Sequence, residues 1–241
     1  MDTNGGKYAA ACSLDFKDPP YYYDTFALRD AQGETGITSS WPYFRSGRSR
    51  EGLMRNDEAV PVTSCWNGIG KSTHHITHNG HHHHQPPAHH PSPPLPVVMP
   101  AAPFVSASNP LQFRAIDDSL ARHHLEGSEC CLIHVDNPLS RDLGVYVNPR
   151  VRVGYDSAAY EGAHPSAGGA WVSTWSMFWG LWANRLAEWT VWLYEDSLVK
   201  RKVRRRLGAW EKEDKAHHHE PADICLINEM QILVWNGWAH V

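Results

Sequence analysis

The sequence predicts an α/β fold, and three observations carry that prediction. Apolar runs of strand length recur between residues 8 and 153. From Trp171 onward, large apolar side chains recur at spacings of three, four and seven, which marks one face of a helix. The chain has 241 residues, of which 41% are hydrophobic and 11% aromatic. That composition belongs to a globular protein able to bury a sizeable core.

Taken in order, residues 8–16 (Tyr-Ala-Ala-Ala-Cys-Ser-Leu-Asp-Phe) predict a buried strand that delivers Asp15 to its C-terminal edge. α/β sheets place their ligands at that edge. Residues 21–30 (YYYDTFALRD) read as a second ordered segment, and 31–58, rich in Gly, Ser, Arg and Asp, as a long surface loop of the kind that is usually functional or disordered. Residues 60–69 predict a strand entering a turn. A helix is expected around Ile116 to His124, an apolar strand over Glu129–Asp136 and extended structure over 143–153. Residues 157–170 are expected as a linker, and 171–241 as a Trp-rich helical extension docked on the domain. Its helix reaches toward Leu207, and its Trp171, Trp175, Trp179, Trp182, Leu186 and Trp189 stripe is assigned to the core.

Between Gly70 and Pro96, 27 residues hold nine of the 17 histidines and six of the 17 prolines, without an acidic or aromatic Phe, Trp or Tyr residue. Such a segment builds no core and reads as a disordered insert. Deleting it joins Ile69 to Val97 as one apolar strand, and Gly70-Lys71-Ser72 can be encoded by a splice-donor consensus, so a retained intron is one origin. The domain is then 1–69 plus 97–156. A metal store in these histidines, or in His217–His219, lacks a preorganised geometry.

The formal charge of −4 argues against a nucleic-acid partner, which needs a cationic surplus. The local exception, Lys200–Arg206, reads as a solvated helix face more readily than as a nuclear or membrane-surface signal. Five cysteines without a CxxC spacing indicate neither a disulfide framework nor a zinc site. No signal, anchor or membrane-spanning run of about 20 apolar residues is read from this sequence.

Three stretches together, DPPYYYDTFALRD (18–30), PVTSCWNGI (61–69) and FRAIDDSLARHHLEGSECCLIHVDNP (113–138), resemble the fungal capsule-associated α-1,3-mannosyltransferases, the cryptococcal type. The resemblance implies a partial GT-A-like mixed sheet flanked by helices, and GDP-mannose as donor to a glycan acceptor. It also implies retention of configuration, Mn²⁺ or Mg²⁺ at the leaving diphosphate, and the lumenal side of the Golgi membrane. No Asp-x-Asp occurs in the sequence; in the family the equivalent acidic motif precedes the YAAACSLDF segment, so the nucleotide-binding half is expected to be missing. An inactive remnant and a non-catalytic carbohydrate-binding module are the alternatives.

Within that frame, Glu129 and Glu126 are the candidate carboxylates for acceptor activation or for the oxocarbenium-like centre. His134, read at a strand end, is the candidate metal ligand. Trp66, Asn67 and Gly68 form a candidate donor-side loop, combining an aromatic face, an amide and close backbone approach. Asp15 and Trp41 are further donor or acceptor contacts, with Tyr43, Arg45 and Arg48 near the latter. The competing readings are a helix-flanking role for the glutamates, a hydrogen-bonded buried His134 and an ordinary turn at Trp66. Asp117 or Asp118 reads first as a helix cap.

Overall fold

Seven consecutive buried residues open the strand β1 (Ala10–Asp18), so both its faces are covered, as expected of a strand in the middle of an α/β sheet. The computed structural model describes residues 2–66, 97–165, 169–194, 196–228, 231–234 and 237–240; for 191–194, 196–197, 231–234 and 237–240 it gives the backbone alone. After β1 come β2 (Tyr21–Tyr22), β3 (Arg29–Asp30), α1 (Gly47–Met54), β4 (Val60–Ser64), β5 (Val97–Val98), α2 (Asp118–Ala121), β6 (Leu125–Gly127) and α3 (Glu129–Asp136). Then follow α4 (Ser140–Leu143), β7 (Val145–Gly154), α5 (Ser157–Ala163), α6 (Thr174–Tyr194), α7 (Asp196–Glu213), β8 (Leu226–Asn228), β9 (Gln231–Val234) and β10 (Gly237–His240).

The main sheet runs β2-β1-β7-β4-β3, with β5 also on β1. β1 and β7 are parallel, and their register jumps from Ser13↔Asn148 to Leu14↔Arg152. The extra residues of β7 include Pro149, which cannot donate to a ladder and so sits in a bulge. Arg150 N donates to Asn148 Oδ1 and Arg152 Nη1 to Pro149 O, so the bulge satisfies its own polar groups. All other pairings in this sheet are antiparallel. A mixed α/β sheet with flanking helices is thus what the sequence predicted.

Several expectations change in detail. β4 and β5 are not one strand: β4 lies against β7, whereas Val97 pairs with Cys12 on the opposite edge of β1. The two flanks of the insert nevertheless meet, because Cys65 is disulfide-bonded to that same Cys12. Residues 129–136 form a helix instead of a strand. A short apolar run fits either element, and here Ser128 stands at the N-cap, Glu129 complements the first turn, and Cys131 through His134 are all buried. The expected loop 31–58 contains α1, capped by Ser46 Oγ accepting from Ser49 N, and Trp41 to Phe44 are buried in the main core. The expected linker contains α5, and the expected helix at 116–124 shrinks to one turn. Its cap is as predicted, Asp117 Oδ1 accepting from Ser119 N.

Four of the five cysteines are paired, Cys12–Cys65 and Cys131–Cys225, which corrects the absence of a disulfide framework. No local spacing announces pairs 53 and 94 residues apart. The second pair staples α3 to the C-terminal segment, where β8 adds to β6 and Arg29, buried, donates from Nε to Ile224 O. Arg114 completes the seam by bonding both Asp136 and Glu220. The tryptophan stripe is corrected too. Trp175, Trp179, Trp182, Leu186 and Trp189 do share a face of α6, but that face is exposed, and only Trp171 packs on the core.

Candidate active site

The carboxyl ends of the parallel pair β1 and β7 converge on an open cleft. β1 delivers Lys17 and Asp18, the following turn brings Tyr21, Tyr22, Tyr23 and Thr25, and Ser39 and Asp156 close the sides around about 520 Å³. That volume is within the range of small-ligand sites. Gly154, the last residue of β7, makes the far wall possible: a Cβ there would lie 2.2 Å from Tyr160 N. Without it, α5 can fold back on the strand. Asp156 caps that helix through Ala159 N at 2.8 Å, which fixes its carboxylate at the cleft. Tyr23 and Tyr155 pair at 5.6 Å between ring centroids and are both exposed, giving the rim an aromatic face suited to sugar C–H groups.

Behind Tyr23 lies a group of carboxylates drawn from distant parts of the chain. Asp15 is buried, and its Oδ1 accepts from Asp24 N at 3.4 Å. Asp24 Oδ1 accepts from Ala27 N at 3.3 Å. Burial pushes the Asp24 carboxyl above its usual range, against the opposing pull of the Ala27 and Phe26 amides and of Arg29. The Cys130 thiol is pushed up to about 12, first by burial and then by the negative charges of Asp24 and Glu129. Both carboxylates therefore bear on the first turn of α3. A half-buried carboxylate with a raised pKa beside a cleft is the pattern of a general base or acid.

Of the residues singled out in the sequence, Asp15 lies here, and Glu129, exposed at the start of α3, is tied to this place only through the charge it shares with Asp24 on Cys130. Glu126 stands in β6 opposite Ile227, half-buried. Trp66 packs edge-on to Phe113 at 5.5 Å. Asn67 and Gly68 lie outside the described residues. Trp41 is buried beneath α6 and offers no face to an acceptor, and Tyr43 is buried with its hydroxyl donating to Pro20 O. Sequence reasoning passed over Asp24, although it stands inside the quoted DPPYYYDTFALRD stretch. It also passed over Asp30, whose carboxylate accepts from the amides of Gln32, Glu34, Arg45 and Ser46 and thereby shapes the whole 30–46 loop.

His134 is in a helix and fully buried, which corrects its placement at a strand end. Its Nε2 is 2.6 Å from Cys65 O; a carbonyl only accepts, so Nε2 carries the proton. The one cluster of three potential ligands among the described residues is Cys12, Cys65 and His134, and its two sulfurs are bonded to each other. No trio of oxygen ligands suited to Mn²⁺ or Mg²⁺ gathers among the described residues. These residues do not fit such an ion, and no chemical step is assigned to one.

Burial lowers the His134 pKa to about 4, with the Cys65 carbonyl opposing. The folded protein therefore keeps His134 neutral while the unfolded chain takes up a proton below about 6.5. Stability from this group is complete above that pH and is lost as pH falls toward 4, by about 2 kcal/mol at pH ~5. Urea denaturation at neutral pH and at about pH 5 should show that loss in the wild type and its absence in His134→Gln.

The family model described as cryptococcal mannosyltransferase 1 matches residues 1–136, a span that holds β1, the tyrosine turn, Asp24 and the whole of α3. No curated protein matches the chain. No solved structure matches it either.

Proposed function

The chain belongs to the cryptococcal mannosyltransferase 1 family, and from that premise we propose that its cleft holds the acceptor glycan while mannose is transferred from GDP-mannose in α-1,3 linkage with retention. The observation that supports the placement is the position of Asp24, half-buried with a raised pKa, in the turn between Tyr23 and Thr25, both of which line the cleft. The attacking hydroxyl must lose its proton as the new glycosidic bond forms, and the Asp24 carboxylate is the proposed base that takes it, with Asp15 accepting from its backbone N–H. The carboxylate's charge also favours the positive centre that develops on the sugar. GDP leaves as the bond from its diphosphate to mannose breaks, and none of the described residues is assigned to hold a metal ion for it. Two disulfides suit an oxidising lumen, in keeping with the Golgi.

The test is GDP release and product linkage with purified chain, GDP-mannose and an α-mannoside acceptor, with and without Mn²⁺. Transfer that yields an α-1,3 product and collapses in Asp24→Asn supports the proposal. Acceptor binding without GDP release establishes a carbohydrate-binding role instead.

A further inference from the structure

α6 has two unlike faces. Inward, Asn184 donates from Nδ2 to the carbonyls of Ser40, Trp41 and Gly180 and accepts at Oδ1 from Thr38, while a Cβ on Gly180 would sit 2.2 Å from Trp41 O. That contact fixes which side of the helix meets the protein. On the opposite side Trp175, Phe178, Trp179, Trp182, Leu186 and Trp189 are all exposed, Trp175 by 67% and Trp189 by 77%. At about 100° per residue these six fall within an arc of about 100° and a length of about 21 Å. The rings of its first half touch in sequence, Trp175 to Phe178 at 5.7 Å and Phe178 to Trp182 at 6.3 Å, and Leu186 and Trp189 extend the same line of the helix. Its exposed area is on the order of 600 Å², at the upper end of what a monomer leaves open.

Composition and charge say what covers it. Four of the six side chains are tryptophans, which favour the headgroup layer of a bilayer because an apolar ring and a polar N–H are both accommodated there. No acid stands on the strip, and Arg185 lies over the Trp182 ring at 5.6 Å. α7 follows with Lys200–Arg206, six cations in seven residues. Lys200 is held by Glu34, and Arg206 by His124 O and Asn228. Arg201, Arg204 and Arg205 remain exposed. An anionic lipid surface answers both the aromatic strip and the exposed cations of the helix that follows it.

We propose that the outward face of α6 seats in the headgroup layer of an anionic membrane, with the exposed arginines of α7 reaching its charged lipids. The site is peripheral: among the described residues no helix is long and apolar enough to cross a membrane. It is independent of the glycosyl-transfer reading.

The test uses the full chain with vesicles of phosphatidylcholine alone or mixed with phosphatidylserine, read by co-sedimentation and by quenching of tryptophan fluorescence with brominated lipid. Binding to the mixed vesicles is expected. Trp179→Ser with Trp189→Ser should weaken it about 100-fold, because two buried aromatic faces are lost. Arg201→Gln, Arg204→Gln and Arg205→Gln together should weaken it by about 100-fold and remove its salt dependence. All five positions are exposed, so thermal melting of both variants should match the wild type. The proposal is overturned if the wild type ignores phosphatidylserine vesicles, or if light scattering shows a dimer that the tryptophan substitutions dissociate.

Discussion

Asp24→Asn is expected to slow mannosyl transfer by about 10²–10⁴-fold, the usual contribution of a positioned general base. Asparagine has the same shape and keeps an oxygen for Ala27 N, the bond that holds the turn, so the fold should survive. What disappears is the ability to accept a proton. The loss should therefore fall on kcat and leave the acceptor KM nearly unchanged. The pH profile carries a second signature. Burial raises the Asp24 pKa, and a base acts only when ionised, so the wild-type rate should fall as pH drops through that raised value. Glu129 is exposed at the first turn of α3 and acts at a distance, so Glu129→Gln should cost far less. Equal rates for Asp24→Asn and wild type would remove Asp24 from the mechanism.

Loss of the Cys131–Cys225 bridge should be the most damaging change to stability, at about 2–5 kcal/mol for Cys131→Ser with Cys225→Ser. A bridge spanning 94 residues closes a long loop, which restricts the unfolded chain strongly. In the native state it joins a wholly buried part of α3 to the segment carrying Arg29's partner Ile224 and the strand β8. Removing it also exposes a cluster built from Cys131, Leu132, Ala222 and Cys225. Melting with and without dithiothreitol measures this: reduction should lower the wild-type Tm more than that of the double variant, which retains only Cys12–Cys65. A wild-type Tm indifferent to reductant would show that neither bridge contributes.

The carboxylate site was only half visible in the sequence, for a reason that particular residues make plain. Asp15 ends an apolar run and so declares itself. Asp24 lies among tyrosines in a turn, and its raised pKa comes from burial under chain that is remote in sequence. Glu129 was singled out from its neighbourhood, yet its place in the first turn of a helix over 129–136 is something an apolar run of eight cannot announce. His134 failed as a ligand for the same reason: in a helix it turns to Cys65 O.

Apolar runs of strand length therefore determined the strands β1, β4 and β7, residue type the cap at Asp117, and helical spacing the shared face of α6, because these depend on neighbours within a few residues. Family-specific stretches determined the kind of chemistry. Only the tertiary structure decided the two disulfides, the meeting of both insert flanks at Cys12, the Asp15–Asp24 contact, and which side of the tryptophan helix faces outward. Each of these depends on which distant segment covers a residue: pairing geometry, burial and exposure are set by packing partners far away in the chain, and local sequence does not record them.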